Sequence, residues 1–126
     1  MAASSLRLGA ALQWASEELG GPLVENETNL ATSVNAAVAI EGNGDRVGLV
    51  FVNNGASDIV IGLQPNISAT VGIRLVANGG AISMNVRDDF TLPSRRWYVL
   101  SVSGTPQLYV LELVRFTKTE VQHPTP

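Results

Sequence analysis

The 126 residues and 13.3 kDa amount to one domain's worth of chain, long enough to bury a core unaided. Charged residues are 15% of it and hydrophobic ones 45%, with mean hydropathy +0.19, net charge −3 and a pI near 5.0; this excludes disorder by composition and leaves no global attraction to nucleic acid or an anionic membrane. The absence of cysteine excludes disulfide frameworks, thiolate metal sites and cysteine nucleophiles.

Charge is divided unevenly: residues 1 to 45 hold Arg7 against six acids, net −5, and the rest hold seven cations against five acids, net +2. Ser4 to Leu19 places Leu8, Ala11, Leu12, Ala15 and Leu19 at helical spacing, with Ser4 or Ser5 as N-cap and Gly20-Gly21-Pro22 as the stop. Such a helix is marginal alone, because Gly9 costs about 1 kcal/mol relative to Ala and Glu17 and Glu18 face the negative end of its dipole. Residues 20 to 35 mix Gly, Pro, Asn, Thr, Ser and Glu with isolated Leu23, Val24 and Leu30, which predicts an irregular, extended connection. Residues 1–35 thus read as an N-terminal helix and arm, gripping something outside their own domain or folding back on it.

From residue 36 the pattern is β. Ala36 to Glu41 and Arg46 to Val52 flank the turn cluster Gly42-Asn43-Gly44-Asp45, which predicts a hairpin. Val47, Leu49 and Phe51 share one face of the second strand and Val50 and Val52 make the other apolar too, as in a central strand covered on both sides. Asn53 to Ser57 forms a turn before a strand over Asp58 to Leu63, and further strands are predicted over Val71 to Val76, Ala81 to Val86, Trp97 to Val102 and Leu108 to Phe116. Short strands at regular spacing select an all-β class, a small antiparallel β-sandwich or jelly roll over residues 36–117, with a frayed tail at 118–126. No apolar run reaches the roughly 20 residues of a membrane span and the start lacks a secretory leader pattern, so synthesis in the cytoplasm is expected.

Chemistry is sparse. The single histidine, His123, falls in the expected tail, where a catalytic base has no fixed partner. Asp88-Asp89 is the one adjacent Asp pair in the β region; neighbours on a strand point to opposite faces, and no Asp-x-Asp-x-Asp-Gly loop surrounds it. Neither a dinucleotide nor a P-loop fingerprint occurs. Arg95-Arg96-Trp97-Tyr98 admits a stacking surface or, better suited to an acidic chain, turn arginines beside an inward-packed aromatic. Phe51, Phe90 and Phe116 are expected to be partly buried. No catalytic residue, metal or cofactor is expected.

The run Arg46 to Gly62 (RVGLVFVNNGASDIVIG), then Val71 to Gly80 (VGIRLVANGG), then Trp97 to Val102 (WYVLSV) resembles small β-sandwich modules of tailed-bacteriophage virions. In those modules a strand ending in Asn-x-Gly leads to a strand ending in glycine, a Gly-Ile-x-Leu segment and a late aromatic strand. The resemblance covers about residues 40 to 115. It implies a non-enzymatic virion protein, foremost a capsid decoration (cement) protein on the outer face of the shell. Such a protein binds the major capsid protein and copies of itself, often as a trimer, through an N-terminal arm. The contact residues this implies are Leu8, Leu12, Trp14, Leu19, Leu23, Val24 and Leu30. Alternatives are a neck, tail or fibre component and a carbohydrate-binding module using Trp97, Tyr98 and Tyr109.

Overall fold

The computed structural model describes residues 23–115. The expected helix over Ser4 to Leu19 and the tail over 118–126 lie outside them. Eight strands form two four-stranded antiparallel sheets: β1 (Leu23–Ala31), β2 (Ala37–Ile40), β3 (Arg46–Asn53), β4 (Ile59–Gly62), β5 (Ile73–Leu75), β6 (Ala81–Asn85), β7 (Trp97–Ser101) and β8 (Gln107–Arg115). A long sheet runs β1-β8-β3-β6 and a short sheet β2-β7-β4-β5. β1 pairs with β8, β2 with β7, β3 with β6 and β4 with β5, so the first half of the chain is wound against the second. This is the all-β sandwich that the strand spacing selects.

The core lies between the sheets. Leu49 and Phe51 of β3, Ile59 and Ile61 of β4, Leu75, Met84, Trp97, Val99, Leu108 and Val110 bury one face of β3 to β8, with the partly buried Leu30 of β1 and Ala39 and Ile40 of β2 packed against them, as the two-residue period of a strand requires. Trp97 meets Phe51 edge to face, ring centroids 5.8 Å apart, and its indole N–H donates to the Leu92 carbonyl at 3.0 Å. Of the two readings of Arg95 to Tyr98, inward packing is the one observed.

Three expectations are corrected. Leu23–Ala31, read as part of an irregular connection, is a nine-residue strand. Its sequence has little intrinsic strand preference, but β8 supplies a template over its whole length, and ladder pairing overrides propensity. The predicted hairpin between β2 and β3 does not form. Its turn cluster carries the chain from one sheet to the other, held by Asn43 N–H to the Ser94 carbonyl at 2.8 Å. Turn chemistry specifies a reversal, not which sheet receives the next strand. Finally, the strand predicted over Ala81 to Val86 ends at Asn85, and Val86 instead opens a four-residue helix α1 (Val86–Asp89), capped by the Asn85 side chain accepting from Asp88 N–H and followed by a 3-10 turn at Leu92–Ser94.

Candidate assembly surface

Two polar side chains fix the loops around the sandwich. Arg46 would point outward in an unbroken strand, but a bulge between Arg46 and Gly48 re-aims it inward, opposite Val114. There its guanidinium pairs with Glu112 at 2.7 Å and donates to the carbonyls of Glu41, Pro93 and Arg95. One buried cation thus ties β3 and β8 of the long sheet to the segments flanking β2 and β7 of the short one. Asn53 is fully buried. It donates to the carbonyls of Ser57 and Leu75 and accepts from Gly55 N–H. Its turn therefore rests on side-chain hydrogen bonds rather than on the left-handed backbone that Asn tolerates.

The outer faces of the two sheets differ. On the short sheet, the loop after β4 folds over and inserts Ile67 against Val60 and Leu100, with Tyr98 and Val102 at the margin. Two glycines admit it: a Cβ on Gly62 would run into the Ile67 Cγ2 methyl, and Gly72 takes φ +136° while a Cβ there would meet Val60.

On the long sheet, registers put Val50 opposite Leu111 and Val52 opposite Tyr109, with Leu113 opposite Gly48. These residues face away from the core and belong to neither buried apolar cluster. Val50, Val52, Tyr109, Leu111 and Leu113 form a half-buried apolar stripe, rimmed by Glu25, Glu27 and Asn29 of β1 and by Ala81, Ser83 and Asn85 of β6. Loss of solvent on this face raises the Tyr109 hydroxyl above the ordinary phenol value, and a hydrogen bond to Glu27 adds to it. The apolar second face of β3 was legible in the sequence; that nothing in the two clusters claims it was not.

The edges differ as well. β2 has four residues and a register shift, β5 three and β6 five; short or bulged edges resist further pairing. β1 has nine residues, an unbroken register with β8, and neither Pro nor Lys, and Val24 to Asn29 are exposed in succession. Among the described residues no strand pairs with its other side, which offers a template for one.

Among the residues expected to contact a partner, Leu8, Leu12, Trp14 and Leu19 lie outside the described residues. Leu23, Val24 and Leu30 all fall on β1. Leu30 packs against the core, Leu23 is half-buried, and Val24 is exposed. Phe90, expected to be partly buried, is 80% exposed and holds φ 56°, ψ −117° at the end of α1, a conformation costing on the order of 1–3 kcal/mol for a residue other than glycine. No sequence signal marks it. Among the described residues no group of three or more His, Asp or Glu side chains is placed to hold a metal ion, and no helix is long and apolar enough to cross a membrane.

No family model and no curated protein matches this chain. A solved structure from Bacillus endospore appendages, described as a family of disulfide-linked pili, is similar at 15% identity over 75% of this chain and 89% of that one, with a TM-score of 0.42.

Proposed function

We propose that this is a structural protein that works by being built into an assembly. The assembly is a tailed-bacteriophage virion, with the protein a decoration on the outer surface of the capsid shell, trimeric, its N-terminal segment contacting neighbouring subunits. The observation that carries this reading is the open nine-residue edge of β1 beside an apolar sheet face. Together they form a surface suited to other chains, and the residues ahead of Leu23 continue directly from it.

Three further features support it. The nested pairing of β1 with β8 through β4 with β5 supports the jelly-roll reading of the sandwich, an architecture frequent among viral capsid domains. A charged fraction of 15% suits burial against neighbours, since charged residues are depleted at interface cores. The resemblance of Arg46 to Val102 to phage virion modules points the assembly at a shell.

Quantifying copies per purified particle tests the location. Hundreds of copies support decoration, whereas a few dozen or fewer would move the protein to a neck, tail or fibre. Removing residues 1–22, which spares β1, is expected to leave a folded sandwich that no longer attaches to shells; full occupancy by that variant would remove the N-terminal segment from the attachment.

A further inference from the structure

We propose that Asn43 is a site of spontaneous covalent modification, losing its side-chain amide to become aspartate and isoaspartate at the crossing between the two sheets. The inference goes beyond the reading of the protein as an assembly component and does not depend on it.

The chain holds three Asn-Gly pairs: Asn43-Gly44, Asn54-Gly55 and Asn78-Gly79. In each, the glycine nitrogen can attack the carboxamide of the asparagine before it, since glycine has no side chain to hinder the approach. The nitrogen–Cγ bond forms, the Cγ–Nδ2 bond breaks, and ammonia leaves with the proton that the glycine nitrogen gives up, so that a five-membered succinimide remains. Water then opens the ring at one carbonyl, giving aspartate, or at the other, giving isoaspartate with one extra methylene in the main chain. One water is taken up and one ammonia released, with no oxidant or reductant.

The sequence treats the three pairs alike, and the fold does not. Attack requires the glycine nitrogen to lose its proton, so a hydrogen bond that holds this N–H protects the pair. Gly55 N–H donates to Asn53 Oδ1 at 2.9 Å, and Gly79 N–H donates to the Asn53 carbonyl at 2.7 Å. The fully buried Asn53 thus guards both. Gly44 is different: it is exposed, and its N–H donates to no acceptor among the described residues. The Asn43 carboxamide is also held in place, because its Oδ1 accepts from Asp45 N–H at 2.9 Å. That contact curls the side chain over the Gly44 peptide and polarises the Cγ–oxygen bond toward attack. At this pair the nucleophile is unprotected and the electrophile lies beside it.

The change falls on a structural joint. Asn43 N–H donates to the Ser94 carbonyl at 2.8 Å, and the Asn43 carbonyl accepts from Arg46 N–H at 3.0 Å. An extra methylene in the main chain between these two bonds pulls their partners out of register. The new carboxylate stands in sequence between Glu41 and Asp45, and added negative charge beside acids disrupts.

The test holds the full chain at mildly alkaline pH, both folded and unfolded in urea, and weighs its proteolytic peptides over time. The ratio of folded to unfolded rates, compared among the three pairs, removes differences that belong to sequence. This ratio is expected to be several-fold higher at Asn43 than at Asn54 or Asn78; equal ratios, or a higher one at either of the others, would overturn the proposal. Gly44→Ala provides a second measurement. A Cβ there meets nothing within 4 Å, and Gly44 is not among the glycines of positive φ, so the variant is expected to melt with the parent and to slow conversion at Asn43 several-fold. Unchanged conversion in a folded variant would overturn attack by the Gly44 nitrogen. Asn43→Asp supplies the charge without the methylene: aged protein is expected to melt below it, and equal melting would overturn the effect assigned to the joint.

Discussion

The two sheets meet the same physical problem and answer it differently. Each has an apolar outer face; the short sheet covers its own with the loop carrying Ile67, at the cost of two glycines that let the loop down, while the long sheet leaves Val50, Val52, Tyr109, Leu111 and Leu113 outside both clusters. The short sheet also ends in brief or bulged edges on both sides, whereas the long one ends in the five-residue β6 on one side and the unbroken β1 on the other. One sandwich thus carries one outer face closed by its own loop and one whose apolar stripe lies outside both clusters of the described residues.

The largest effect is expected where the sheets are joined. Arg46→Met removes the partner of Glu112 and of three carbonyls, and breaking a buried ion pair from one side costs about 3–5 kcal/mol; urea unfolding measures it. A loss below about 1 kcal/mol would mean the two sheets are held together by apolar packing alone.

Next is the contrast itself. Ile67→Ala on the short sheet should cost about 2–3 kcal/mol, whereas Leu111→Ala on the long sheet, measured at a protein concentration where copies are apart, should cost less than about 1 kcal/mol. Equal losses would show that the long sheet's face is already covered within one chain, and the comparison would fail.

Phe90→Gly works in the opposite direction. Releasing a side chain held at φ 56° and 80% exposed should raise stability by up to about 1 kcal/mol in thermal melts; a decrease would give the ring a packing role.

The smallest effect concerns the edge of the short sheet. The Asp58 carboxylate is held below the usual range, first by its hydrogen bond from Arg74 and then by Ala77 N–H. A lowered folded pKa gives stability that is present at neutral pH and lost as pH falls through that value. Asp58→Asn should therefore lower the melting temperature slightly at pH 7, and the difference should shrink as pH is taken down through the acid range and the carboxylate of the parent protein is protonated. A gap persisting in acid would assign the loss to packing.

Composition and alternation determined a good deal unaided. The strands β2 to β8 were legible because apolar residues recur at short spacing between Gly, Asn and Pro turns. An apolar second face on β3 was readable from Val50 and Val52 for the same reason. Tertiary structure alone decided what nothing local encodes. LVENETNLA becomes β1 only because β8 offers nine residues of unsatisfied ladder. The Gly42 to Asp45 cluster became a crossing between sheets rather than a hairpin, because partner choice is made by distant strands. Arg46 became a buried tie through a one-residue bulge, and Phe90 was held outside by the backbone at the end of α1. Side-chain period is a property of neighbours in sequence, and the pairing partner of each strand depends on elements far apart along the chain.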